Sequence, residues 1–109
     1  MKASDLMIRC LEEEGVERIY GVPGEENADF MISLINSHIE FILCRHEQAA
    51  AFMADAYGRL TGKAGVCLGT LGPGVTNLLT GIADGNMDRA PVVAIIGQGS
   101  TKRLHKESH

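Results

Sequence analysis

The chain has 109 residues, 45% of them hydrophobic and 22% charged, which places it among globular single domains and excludes a disordered or fibrous polypeptide. Ten Lys and Arg against fourteen Asp and Glu leave a net charge of −4, so composition gives no general affinity for nucleic acid or acidic membranes. No apolar run reaches the ~18 residues of a membrane span, and the opening Met1 to Asp5 leads into an acidic amphipathic stretch instead of a signal peptide. Cys10, Cys44 and Cys67 are odd in number and far apart, which points away from a disulfide framework and towards a reducing, cytoplasmic setting.

In chain order, Ser4 is the expected N-cap of a first helix, with Leu6, Met7, Cys10 and Leu11 as its apolar stripe and Gly15 as its stop. A short strand over 18–22 is broken by Pro23-Gly24. A second helix is expected from Asn27 to Ser37 with Phe30, Met31, Leu34 and Ile35 inward, then a strand over 39–43. The third helix runs from Glu47 to Leu60 and ends at Gly62. A strand centred on Cys67 follows, and Gly72-Pro73-Gly74 opens a fourth helix carrying Val75, Leu78, Leu79, Ile82 and Ala83 on one side. Val92 to Ile96 is a continuous apolar run, expected to be buried on both faces. Strands alternate with helices throughout, so the fold class is α/β, a parallel sheet flanked by helices.

Two helices are unusual for a small monomer. The third carries Ala49, Ala50, Ala51, Phe52, Met53 and Ala54, apolar around its circumference, and is expected to be buried on more than one side. The fourth sets Thr76, Asn77, Thr80 and Gly81 opposite its apolar stripe, small uncharged residues that would let another backbone come close. With the polar stretch from Ser100 to His109, these features read as part of a larger, self-associating protein.

Nucleotide motifs fit poorly. Gly58 to Lys63 has one residue too few between its glycines for a P-loop, and Lys102 stands where the third glycine of a dinucleotide fingerprint belongs. Gly72-Pro73-Gly74 reads either as a tight strand-to-helix connection or as bare backbone approached by a ligand, and spacing does not separate the two. Glu47, in the first turn of the alanine-rich helix, reads either as a surface acid stabilised by the helix dipole or as a carboxyl whose apolar neighbours raise its pKa for general acid/base work. His46 is a polar loop residue with the option of orienting a ligand. His105 and His109 have a metal-compatible spacing in a polar tail, and Lys102, Arg103 and Lys106 form a basic cluster that reads as a solvated face.

Taken together, Gly21–Glu25, Arg45–Ala50, Tyr57–Lys63, Gly72–Asn77 and Ala90–Ile95 resemble one family, the thiamine-diphosphate-dependent enzymes, and within it the amino-terminal pyrimidine-binding domain of acetolactate synthase-like large subunits. The resemblance covers the whole chain. It implies a flavodoxin-like pyrimidine domain truncated to about four strands, with residues 1–109 as its amino-terminal part and the middle and diphosphate-binding domains absent.

It further implies that Glu47 is the catalytic glutamate that hydrogen-bonds the aminopyrimidine ring and, by sharing its proton, activates the thiazolium carbon. Pro23, Gly24, Gly72, Pro73, Gly74 and Asn77 match cofactor-side segments, and Gln98 matches a glutamine on the substrate side. The implied activity is decarboxylation of pyruvate and carboligation to a second 2-keto acid, with a decarboxylase or lyase of the same superfamily, or a non-catalytic assembly module, as the competing readings. Magnesium would be held by the absent domain, whose Gly-Asp-Gly motif does not occur here, and some members also bind FAD. The implied partner is a second copy, the site being shared between subunits, and the chain alone is expected to be inert. Glu25-Glu26-Asn27 and Leu71 depart from the biosynthetic pattern near the substrate side. Gly74→Val is expected to damage cofactor binding more than stability.

Overall fold

The computed structural model describes residues 1–106. Its elements are α1 (Ala3–Glu13), β1 (Arg18–Gly21), a 3-10 turn (Glu25–Asn27), α2 (Ala28–Leu34), β2 (Glu40–Leu43), α3 (Glu47–Thr61), β3 (Gly65–Gly69), α4 (Pro73–Met87), β4 (Val92–Ile96) and a second 3-10 turn (Thr101–Arg103). All strand pairs are parallel, in the order β2-β1-β3-β4. Two cores cover the two faces. Ile8, Ile19, Phe30, Leu34, Val66 and Leu68 join α1 and α2 to one face. On the other, Ala50, Ala51, Ala54, Cys67 and Leu78 join α3 and α4. The result is the α/β sandwich that the alternation of elements predicts, in the strand order of doubly wound folds.

β3 lies between β1 and β4 and is buried along its whole length. β4 differs from expectation. It is the edge strand and has a neighbour on one side only, so Val93 and Ile96 remain about half exposed within the chain.

The first two helices also depart from the hydropathy reading. Ser4 is not the cap of α1: the cap position is Lys2, whose backbone N–H donates to the Asp5 carboxylate at 3.0 Å. Ile8 is the buried residue, whereas Leu6, Met7 and Cys10 face outward. The rotation has a polar cause. The seam between α1 and α2 pairs Ser4 with Ser33 (2.8 Å) and takes a hydrogen bond from Ser33 to Asp5 (2.6 Å), and beyond α2 Ser37 donates to Glu12. α2 ends at Leu34, short of Ser37. There the chain turns with Ser37 N–H donating to the Leu34 carbonyl, and Ile35 points into solvent.

α3 keeps its expected limits and closes on Gly62 in the left-handed region at φ +72°. Only one of its faces is buried within the chain, through Ala50, Ala51, Ala54, Asp55 and Gly58; Ala49, Phe52 and Met53 stay exposed. On α4 the inward stripe is Gly74, Leu78, Gly81 and Gly85, while Leu79 and Ala83 lie outside. Gly81 thus does permit a close backbone approach, but to α3 of the same chain. A Cβ placed on it would stand 2.5 Å from the Ala51 Cβ.

This contact predicts that Gly81→Val forces α3 and α4 apart and costs about 2–3 kcal/mol, at the upper end of core overpacking. Urea unfolding midpoints of the two proteins measure it. An unchanged midpoint would mean that the helices can separate freely.

Candidate functional site at the carboxyl edge of the sheet

β1 leads through α2 to β2 on one side, whereas β3 leads through α4 to β4 on the other, so the strand order reverses between β1 and β3. In open α/β sheets the crevice beyond the carboxyl ends at such a reversal is where ligands bind. Three loops meet there, and they are locked together. Thr70 donates to the Glu26 carboxylate at 2.7 Å. Gly24 N–H donates to the Asn27 side-chain oxygen at 2.8 Å, and Gly97 N–H donates to the Gly69 carbonyl at 3.0 Å. Gly24 has no room for a side chain, since its Cβ would lie 2.6 Å from that of Thr70.

Glu47 is the first residue of α3, immediately past the end of β2, and is half-buried. His46 precedes it as the N-cap, its ring nitrogen accepting from Gln48 N–H at 3.1 Å, so the histidine has a structural task. Asn77, in the first turns of α4, donates through Nδ2 to Glu47 Oε2 at 2.9 Å. Two elements 30 residues apart in sequence therefore meet at a carboxylate with one oxygen fixed by the protein. Its other oxygen, Oε1, has no hydrogen-bond partner among the described residues.

Gly72 begins α4 at φ +62°, a backbone region costly for any other residue, with nothing within 4 Å of the place where a Cβ would be. Pro73 follows at the first helical position, where its missing N–H costs nothing. Both are exposed, and so is Pro23. Gly74 is different. It is buried, and its Cβ would lie 3.1 Å from the Thr70 methyl, a tight contact within the loop. A larger side chain would push against that methyl, so Gly74→Val is expected to cost some stability in addition to any effect on the cofactor side. Gln98 is exposed beyond β4, its side-chain oxygen accepting from Gly99 N–H; it makes no bond to Glu47 or Asn77 and lines, with Leu71, a separate cavity of about 230 Å³. His109, of the His105–His109 spacing, lies outside the described residues.

Hydropathy also missed a clamp at the far end of the α3–α4 seam. Arg59 donates to Asp55 at 2.7 Å, to Asp84 at 3.1 Å and to Asp88 at 2.8 Å. Asp55 is buried, and its carboxyl is held below the ordinary range chiefly by the Arg59 hydrogen bond. Asp84 is pushed up, chiefly by its contact with Asp55. The i,i+4 spacing of Asp55 and Arg59 in an otherwise apolar helix was the available signal.

The parallel sheet with its reversal of strand order places the chain in the doubly wound α/β class. The family model for the thiamine pyrophosphate enzyme, N-terminal TPP binding domain, matches residues 1–109, and the chain belongs to that family. A probable acetolactate synthase large subunit of Methanocaldococcus jannaschii is 47% identical over 108 residues, covering 99% of this chain and 18% of the relative. An acetolactate synthase of Bacillus subtilis is 47% identical over 108 residues, and the isozyme 2 large subunit of Escherichia coli is 46% identical over 100 residues, 92% of this chain. The chain spans about a fifth of the length of these relatives.

The clamp gives a pH prediction. Asp55, lowered in the folded state, contributes stability that is fully present above the unfolded carboxylate value near 3.8 and is lost as pH falls through its lower folded value. Asp84, raised, works in the opposite sense, its penalty relieved as it takes up a proton. Urea unfolding should therefore show a fall in stability as pH drops below about 4 that is smaller in Asp55→Asn. Equal slopes in the two proteins would remove the clamp from the acid response.

Proposed function

We propose that this chain supplies the pyrimidine-binding half of the active site of a thiamine-diphosphate-dependent acetolactate synthase-type enzyme, which decarboxylates pyruvate and joins the remaining two-carbon unit to a second 2-keto acid. The observation that carries the reading is the Asn77–Glu47 pair. It leaves one carboxylate oxygen without a protein partner at the carboxyl edge of the sheet, the edge from which the Gly72 turn and the Pro23-Gly24 loop also leave their strands.

The donor set suits an aminopyrimidine. Such a ring presents a weakly basic nitrogen, which a carboxyl group can meet by holding a proton between them. Asn77 orients Glu47 so that the oxygen without a protein partner is the one offered. The Gly72–Gly74 turn and Pro23-Gly24 allow a flat ring to come close to the main chain, with Pro23 adding an apolar surface. When bound, thiamine diphosphate supplies the electron sink for the decarboxylation. Glu47 supplies the proton held at the ring nitrogen, a general acid/base contribution typically of about 10²–10⁴-fold.

Magnesium, with the diphosphate, is assigned to another part of the protein, because the sequence carries no diphosphate motif and the described residues include no cluster of metal-ligating side chains. A second copy is the proposed partner. The open face of α3 and α4 carries Phe52, Met53, Leu79 and Met87, all well exposed in the single chain, and two-fold pairing is the simplest way to cover such a surface. The three cysteines are free thiols, which suits the reducing cytoplasm proposed as its location.

In the intact protein, Glu47→Gln should slow deuterium exchange of the thiazolium proton about 100-fold or more, with the melting temperature preserved. Asn77→Ala should slow it less, because the carboxylate remains and only its orientation is loosened. NMR of quenched cofactor samples reads both rates. Wild-type exchange in Glu47→Gln would leave the domain as a binding or assembly module.

A further inference from the structure

Thr70 is the first residue past β3 and stands between the three loops at the reversal of strand order. Its hydroxyl donates to Glu26 Oε2 at 2.7 Å, 44 residues away in sequence. The full side chain lies against Gly24: a Cβ on that glycine would stand 2.6 Å from the Thr70 Cβ, 2.8 Å from Oγ1 and 2.9 Å from Cγ2. The methyl also lies against Gly74, whose Cβ would stand 3.1 Å from Cγ2. Gly97 covers the main chain, its Cβ position 3.6 Å from the Thr70 Cα.

Gly24 and the Gly72–Gly74 turn share no hydrogen bond among the described residues. Gly24 N–H is taken by the Asn27 side chain and Gly74 N–H by the Leu71 carbonyl, each inside its own loop. The Thr70 side chain is what spaces the two segments. A β-branched residue suits the task, because two heavy atoms on Cβ restrict χ1 and the bond to Glu26 selects the well. The hydroxyl then ties down the 25–27 turn while the methyl props the start of α4. Asn77 stands one turn beyond Gly74, at the i,i+3 spacing that puts two residues on one side of a helix. The prop thus acts on the turn of α4 that carries the partner of Glu47.

We infer that Thr70 is a positioning residue of this site. It sets the separation of the Pro23-Gly24 loop and the Gly72–Gly74 turn, the two stretches of backbone proposed to meet the pyrimidine ring, and it steadies the start of the helix that presents Asn77. Thr70 acts through Gly24, Gly74 and Asn77 and takes no part in proton transfer. The inference rests on the proposed function for the identity of the ligand, though not for the spacing of the loops.

The test uses the intact protein and two variants that divide the side chain. Thr70→Val keeps the shape and removes the donor, whereas Thr70→Ser keeps the donor and removes the methyl. Without cofactor, amide hydrogen exchange read by mass spectrometry should rise over residues 23–27 in Thr70→Val, and over 72–77 in Thr70→Ser. Calorimetric titration with thiamine diphosphate and magnesium should give about tenfold weaker binding in Thr70→Val, with the melting temperature within a few degrees of wild type. Thr70→Ser should bind the cofactor more tightly than Thr70→Val, because the bond to Glu26 survives. Wild-type exchange over 23–27 in Thr70→Val would overturn the inference. So would wild-type affinity in that variant, which would leave Thr70 as a packing residue. Absence of thiamine diphosphate binding by the wild type would overturn the proposed function instead, and the exchange measurement, made without cofactor, would still decide whether Thr70 spaces the loops.

Discussion

The constraint on which the site depends is the close contact of α3 with α4. Gly81 lets the two backbones approach to a distance that any side chain would prevent, and Gly74 and Gly85 extend the same inward stripe. Only at that separation can Asn77 of one helix reach the carboxylate of Glu47 on the other. Both helices begin at the carboxyl edge of the sheet, because every strand is parallel and each helix must run back. Their first turns are therefore the part of the seam that a ligand can reach. The far end is closed by Arg59, which gathers Asp55 of α3, Asp84 of α4 and Asp88 just past the end of α4. The same seam is thus fixed by charge at one end and left available for chemistry at the other.

Much of this was legible in the sequence, for a physical reason. β3 and the glycine limits of α3 depend on local signals: a short β-branched and apolar run, and a residue that can turn left-handed. The assignment of Glu47 to a strand-to-helix junction needed nothing more. What failed was the facing of helices. In α1 the seam with the α2 segment is polar, so hydropathy chose Leu6 and Met7, whereas the serine–carboxylate pairs turned Ile8 inward. In α4 the inward stripe is mostly glycine, which carries no hydropathy signal and is defined by what the opposing helix brings.

Long-range pairs were equally hidden. Thr70 and Glu26 are 44 residues apart, and Asn77 and Glu47 are 30 apart. Nothing in either segment alone requires the partner. The expected burial of β4 on both faces failed for a related reason. An apolar run shows that a strand can be covered on both faces, but which strand lies at the centre is decided by the order of crossovers. The resemblance to a family supplied residue roles that the local pattern left open. In the fold Gly74 is packed against Thr70, His46 caps α3, and Glu47 keeps an oxygen without a partner among the described residues.

The central claim is that this oxygen of Glu47 meets the aminopyrimidine of the cofactor. Isotope-edited infrared difference spectroscopy tests it most directly. The intact protein, labelled with ¹³C at its glutamate carboxyls, is compared before and after thiamine diphosphate and magnesium are added, with Glu47→Gln as the reference. The account predicts one carboxyl band that shifts on binding in the wild type and is missing from the difference spectrum of the variant. Identical difference spectra at saturating cofactor would contradict it.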